Sequence, residues 1–442
     1  MRVHHRDGAE ISENEVKVVF CTREYDGLSG GQNTWLCHFL PDLRRRGVDV
    51  KALCFTSSDM IYSTVLSLRK SGIGCITCSE KEYVSTERRI QWLLDQLSGD
   101  PPDVFVINMV VPAAYYAAKW LRHAGVPTVG VCHVGVGHPL YRGLINSFVL
   151  GDSDYRVPTL VCVSQYLEQD VLKSVPPGTS VKYVPCGVRI PSAVAEEPHD
   201  KLRLAYVGRL AEEAKRVVEV TEALCRAVRE VPDTEAFICG DGDERRSVER
   251  VLSENSSIPV HLVGAIEYDR VYEHLLECHV IVLLSDWEGF GRAMLEGMAC
   301  GLVPIGFRFA RGGGQELIDD GVTGLLVNDR GADFVNAVRR LRADLGLWRR
   351  LADSARALAI ARYSMNACVD KWCDLLSELA KGGLKKPIRV QCKFNLPTGD
   401  PDLAWLDPRS APSTYEKLVG RFWGKRGKFP GSGVAGNETP AI

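Results

Sequence analysis

Residues 280–307 read VIVLLSDWEGFGRAMLEGMACGLVPIGF, and the succession of elements within them decides the fold. Five apolar residues, three of them β-branched, run into Ser285 and spell a buried strand. A glycine turn follows (Glu288, Gly289, Phe290, Gly291), then a helix carrying Glu296, then a second apolar run, LVPIGF. Strand, turn, helix and strand in succession form a βαβ unit and call for a parallel sheet.

The same alternation extends outward in both directions. Upstream in this half lie LRLAYVGR, a helical stretch over 217–228, TEAFICGDG and PVHLVG, and downstream lies TGLLV. The first half has its own series, VKVVFC, VDVKALCF, DVFVIN, TVGVCH and LVCVS. Between the two, residues 191–201 are polar and without periodicity, as in a linker. The expected class is α/β, with two facing Rossmann-like doubly wound domains over 1–190 and 202–364. A C-terminal helix over 365–383 is expected to pack back on the first domain, followed by a partly disordered tail over 384–442. Two such domains turn the carboxyl ends of their strands toward one cleft, where open α/β sheets bind ligands.

Composition narrows the classes. A chain of 442 residues is long enough for two cores, and 45% apolar with 25% charged residues excludes collagen, coiled coil and wholesale disorder. The formal charge of -2 supplies no field for wrapping nucleic acid. Fifteen cysteines, many inside apolar runs, read as buried hydrophobes of a reducing compartment. Cys75 and Cys78 make one CxxC with no second ligand pair, so no zinc site is expected. The opening MRVHHRDGAEISENE lacks an apolar leader core, and no stretch reaches the roughly 18 apolar residues of a spanning helix. The expected location is cytoplasmic, or at most peripheral to a membrane.

Several positions carry chemistry. Gly27, Gly30 and Gly31 precede a helix expected to begin near Asn33, where glycines admit a ligand to the backbone and helix amides face an anion. The run lacks the GxGxxG spacing of dinucleotide binders. His133 ends an apolar strand on the cleft side: it either meets a sugar hydroxyl or titrates near neutrality, or is a core histidine satisfied by backbone. His138 has less support. In the second half Arg209 follows a strand directly, with Lys215 six residues on at a helix start, a combination suited to a diphosphate. Glu288 in the glycine turn and Glu296 eight residues later can point into one pocket and accept from vicinal hydroxyls, beside the free amides of Phe290 and Gly291. The pairs Asp152/Asp154 and Asp241/Asp243 read as turn residues rather than Mg²⁺ ligands.

With these residues assembled, the chain resembles glycosyltransferase family 4, whose members have the GT-B fold, and the likeness runs in order over residues 16–379. EGFGRAMLEGMACGLVPI resembles the family's E-x7-E signature, and VGRL followed by AKR resembles its phosphate-binding Arg and Lys. Weaker echoes are VCVSQYLEQ, CGDGDE, GGGQELIDDGVTGLLV and VPCGV, where Cys186 stands in place of the family's usual Asn. The resemblance implies a retaining transferase acting on a UDP-, GDP- or ADP-sugar without an essential metal or other cofactor. Arg209 and Lys215 would bind the donor diphosphate and Glu296 the ribose. Glu288, with the Phe290 and Gly291 amides, would bind the transferred sugar, and is the candidate if any carboxylate acts as nucleophile. His133 would contact that sugar from the first domain, and the Gly30–Gly31 turn would approach the diphosphate or the acceptor. The Arg-to-Lys separation is six where the family commonly has five, which leaves Arg216 as an alternative cation.

The acceptor implied is a glycan, a lipid-linked sugar or a small molecule, selected by loops such as 141–154. The rival readings are a sugar-nucleotide 2-epimerase and a non-catalytic subunit that binds a nucleotide sugar. In the tail, STYEKLVGRFWGKRGKFP interleaves basic residues with Tyr415, Phe422, Trp423 and Phe429, a pattern suited either to an anionic membrane surface or to a solvated or docked tail.

Overall fold

The computed structural model describes residues 15–24, 31–57, 63–83, 85–382, 385–389, 393–407 and 409. In the first half, strands β1 (Lys17–Glu24), β2 (Asp49–Thr56), β3 (Gly74–Ser79), β4 (Val104–Ile107), β5 (Thr128–Cys132), β6 (Thr159–Cys162) and β7 (Ser180–Tyr183) form one parallel sheet. Helices α1 (Gly31–Arg45), α2 (Ser63–Lys70), α3 (Thr86–Ser98), α4 (Pro112–His123), α5 (Pro139–Phe148) and α6 (Gln165–Leu172) make the crossovers. The spatial order β3-β2-β1-β4-β5-β6-β7 reverses direction between β1 and β4, which opens a crevice above their carboxyl ends. Local signals fix several helix starts: Ser85 caps α3, Ser164 caps α6, and Pro112 occupies the first turn of α4.

The second half repeats the plan with β8 (Leu202–Val207), α7 (Val217–Glu230), β9 (Thr234–Cys239), α8 (Arg245–Glu254), β10 (Val260–Gly264), α9 (Tyr268–Leu276) and β11 (Val280–Leu283). The short β12 (Trp287–Glu288), α10 (Arg292–Cys300), β13 (Val303–Phe307), β14 (Arg311–Gly312), β15 (Leu325–Val327), α11 (Ala332–Ala343), α12 (Leu345–Tyr363) and α13 (Met365–Ala380) follow. Its sheet order is β10-β9-β8-β11-β13-β15, with the reversal between β8 and β11. Strands β4 and β11 are buried along their whole length, as central strands covered on both faces must be. The run quoted at the outset is thus the central βαβ unit of the second domain, and its glycine turn rises from the switch point.

The chain crosses between domains twice, side by side. Val188 N donates to Tyr363 O at 2.9 Å and Met365 N to Val188 O at 2.8 Å. After that crossing α13 packs on the first domain, where Trp372 is buried against Phe39 with 5.5 Å between ring centroids. Helix α1, described over Gly31–Arg45, lies close to the expected start near Asn33, and Asn33 is buried, accepting from the Thr22 hydroxyl at 2.9 Å. One local expectation shifts. Helix α7 begins at Val217, not at Lys215, because Arg216 sits at φ 51°, a left-handed conformation that breaks the helix on its N-terminal side.

Candidate functional site

Beyond the carboxyl end of β11 the chain makes the two-residue strand β12, which pairs with β14 in a separate two-stranded sheet and so fixes the backbone of Glu288. A Cβ at Gly312 would run into the Glu288 carbonyl, so this pairing needs glycine there. Glu288 is buried, and its Oε1 accepts from Lys215 Nζ at 2.6 Å. Asp286 N donates to Ala214 O at 2.8 Å and draws the Lys215 turn against the glycine turn. Arg216, the alternative cation, pairs with Glu212, Glu219 and Asp286 in a network at the start of α7. Arg209 is exposed, and no carboxylate pairs with it among the described residues; its charge reaches the first domain, where it helps lower the pKa of His138 after burial and Arg142.

Glu296, on the first turns of α10, is also buried. Its Oε1 accepts from Arg292 at 2.7 Å and from the Tyr268 hydroxyl at 3.0 Å. Arg292 donates in addition to the Gly31 carbonyl at the start of α1, so one guanidinium ties the carboxylate of the second domain to backbone of the first. Gly291, at φ 89°, turns the chain from β12 into α10. The amides of the first turn of α10 lack intrahelical acceptors, as at any helix N-terminus. The Phe290 ring packs on Tyr363, 5.7 Å between centroids.

From the first domain, His133 follows β5 and is buried. Its Nε2 lies 3.0 Å from Asn108 Oδ1, and its Nδ1 lies 3.8 Å from Cys186 Sγ. Nε2–H therefore donates to Asn108 and the Cys186 thiol donates to Nδ1. Burial, reinforced by the nearby Arg292 charge, pushes its pKa down to about 3. Titration near neutrality is thereby corrected: the ring is neutral at physiological pH. The loop beyond it meets the glycine turn closely, since a Cβ at Gly289 would strike the His133 carbonyl. A second bridge lies nearby, where Glu316 accepts from the amides of Gln165 (3.2 Å) and Tyr166 (3.1 Å) at the start of α6.

Glu288, Glu296, Lys215, Gly31, Gly291 and His133 thus converge on one interdomain cleft with Arg209 at its edge, whereas Gly30 and the 413–430 tail lie outside the described residues. His138 caps α5, accepting from Leu140 N at 3.0 Å. Asp152 accepts from Asp154 N and Asp241 from Gly242 N, the turn geometry expected of them. Among the described residues no cluster of three His, Cys, Asp or Glu has metal-binding geometry, and no helix is long and apolar enough to cross a membrane. Sequence reasoning missed Arg292, Tyr268, Asn108 and Glu316. Only Arg292 had a local signal, four residues before Glu296 on the same helix face.

Two facing parallel α/β domains with their switch points across one cleft define the GT-B class of fold. Residues 29–190 match the family model described as Glycosyltransferase Family 4, and residues 191–358 match the model Glycosyl transferases group 1. The chain belongs to glycosyltransferase family 4. Among curated relatives it is 30% identical to alpha-D-kanosaminyltransferase of Streptomyces kanamyceticus over 41% of this chain and 46% of the relative. It is 32% identical to N-acetyl-alpha-D-glucosaminyl L-malate synthase of Bacillus anthracis over 36% of this chain and 41% of the relative. The matches therefore span less than half the length of these relatives. The solved structure of Anabaena HepE in complex with UDP and glucose superposes with a TM-score of 0.66 at 18% identity, covering 82% of this chain and 100% of that one.

Proposed function

We propose that the chain is a retaining glycosyltransferase that moves a sugar from a nucleoside-diphosphate sugar to an acceptor, with the protein rather than a metal ion meeting the charge of the departing diphosphate. The observation that carries this reading is the pair of buried carboxylates in the cleft. Each has Oε1 held by a cation, Lys215 for Glu288 and Arg292 for Glu296. Each keeps its second oxygen for a ligand hydroxyl. Glu296 Oε2 then accepts from the ribose and Glu288 from the transferred sugar. Lys215 is held in place by Glu288 until a diphosphate competes for it, which frees Glu288 Oε1 for a second sugar hydroxyl. Arg209, exposed at the cleft edge, joins Lys215 on the diphosphate, where charge grows as the glycosidic bond breaks.

His133 is a neutral ring, since burial keeps it from carrying a proton, and it reaches the donor sugar by exchanging Asn108 or the Cys186 thiol for a sugar hydroxyl. Retention follows if the departing diphosphate itself deprotonates the acceptor on the face it leaves. The names of the two curated relatives and the UDP and glucose held by HepE support a nucleotide-sugar donor.

The test is a thermal-shift series with UDP-, GDP- and ADP-sugars, followed by product analysis with EDTA present. A ligand at 100 times its dissociation constant raises stability by about 2.7 kcal/mol. Arg209→Ala and Lys215→Ala should each lose roughly 10²–10³ in rate, as preorganised electrostatic contacts do. Turnover abolished by EDTA and restored by Mg²⁺, with either alanine variant near wild type, would refute this account. Epimerised nucleotide sugar formed without acceptor would replace it with the 2-epimerase reading.

A further inference from the structure

Beyond residue 358 the chain leaves the family segments, and past α13 its described residues 385–389 and 393–407 lie along the first domain as a strap. At the amino edge of the first sheet, Lys386 N donates to Ala124 O at 2.8 Å and Lys385 pairs with Asp103. The strap climbs the α4 face, where Phe394 meets Trp120 edge-on at 5.0 Å and the Tyr155 hydroxyl donates to Asn395 O at 2.7 Å. Near the carboxyl edge Asp402 takes Arg142 through both oxygens, at 3.0 and 3.2 Å. Leu403 is buried in the space left by Gly143, and the Thr86 hydroxyl donates to Asp407 at 2.7 Å.

This path delivers Trp405 to the carboxyl edge of the first sheet. Its ring lies 5.7 Å from the guanidinium of Arg23, next to the last residue of β1, on the edge that faces the cleft. Arg23 is itself fixed by a buried ion pair with Glu80 at 2.5 Å. Flanking Leu403 and Leu406 are buried, whereas Trp405 is 55% exposed, the one tryptophan among the exposed large apolar residues described. A flat indole held by a fixed cation and by anchored neighbours is a preorganised surface. Its π-face is negative, and the C–H face of a pyranose is apolar and weakly positive, so the two stack.

We propose that the strap forms a wall of the acceptor side of the cleft and that Trp405 is the platform on which a pyranose ring of the acceptor stacks. This rests on the glycosyl-transfer reading above and extends it to the acceptor: a glycan or glycoside presenting a sugar ring, rather than a non-carbohydrate alcohol. The proposed diphosphate and ribose contacts lie on the second domain, so changes at Trp405 should leave UDP binding unaltered.

The test uses the full chain saturated with UDP, with methyl α- and β-pyranosides of glucose, galactose, mannose and N-acetylglucosamine as probes, read by saturation-transfer NMR. Wild type should transfer saturation to the ring C–H protons of at least one probe. Trp405→Ala should weaken that binding by about tenfold and Trp405→Phe by only about threefold, a ratio set by the lost stacking face. UDP stabilisation should be equal in all three proteins. Equal glycoside binding by Trp405→Ala and wild type overturns the proposal, as does wild type that binds UDP but none of the glycosides. Wild type stabilised by neither UDP nor the nucleotide sugars overturns the donor reading and this inference together.

Discussion

Arg292 is the residue whose loss should be felt most widely. Its side chain is 11% exposed and that of Glu296 is 6% exposed, and they meet at 2.7 Å. Arg292→Met keeps much of the volume but leaves the Glu296 carboxylate buried with the Tyr268 hydroxyl as its partner, and it breaks the link to the Gly31 carbonyl. Removing one partner of a buried ion pair costs about 3–5 kcal/mol, because the remaining charge stays desolvated. For a domain of this size 1 kcal/mol moves the melting temperature by about 2–4 °C, so a loss of at least about 6 °C is expected by calorimetry. The mechanism is isolated by adding Glu296→Gln to Arg292→Met. A neutral amide needs no cation, so the double variant should recover about half of the loss, and the cycle should show a coupling well above about 0.5 kcal/mol. An Arg292→Met protein melting within about 2 °C of wild type, or a double variant no better than the single, would refute the reasoning.

Other outcomes follow from the same geometry. Glu296→Ala should raise donor KM more than it lowers kcat, since ribose contacts are alike in ground and transition states, while Glu288→Ala should act mainly on kcat; the reverse pattern in steady-state kinetics overturns both roles. Gly289→Ala places a methyl group against the His133 carbonyl, an overpacking worth about 1–3 kcal/mol, so small-angle scattering should show the domains parting while UDP still stabilises the chain; an unchanged scattering profile counts against the close approach. Burial raises the Glu316 carboxyl from 4.5 to about 7, with Glu168 adding to the rise and the Tyr166 and Gln165 amides opposing it. The docked form then binds the proton more tightly than a separated form does. Its contribution to domain contact is complete below about pH 4.5 and lost as pH rises through about 7, so scattering should report looser domains at high pH, and Glu316→Gln should flatten that profile.

The sequence by itself determined the two-domain plan and half of the cleft. Apolar β-branched runs alternating with amphipathic helices require parallel sheets, and a glycine turn after a buried strand puts Glu288 and Glu296 where a ligand can reach them, because these are consequences of local spacing. Only the tertiary structure decided what those residues touch. Lys215 and Glu288 are separated by 73 positions and pair only because Asp286 draws the two turns together. Whether His133 carries a proton depended on burial and on Arg292 from the other domain, which no local pattern encodes. That Arg216, the possible substitute for Lys215, has left-handed backbone and pairs with three carboxylates was likewise a matter of tertiary structure. The described residues 385–389 and 393–407 lack a helical or strand period because they hold one short 3-10 turn, Pro401–Leu403, and no strand; they are placed by side chains inserted one by one into the first domain, a complementarity visible only once both surfaces are folded.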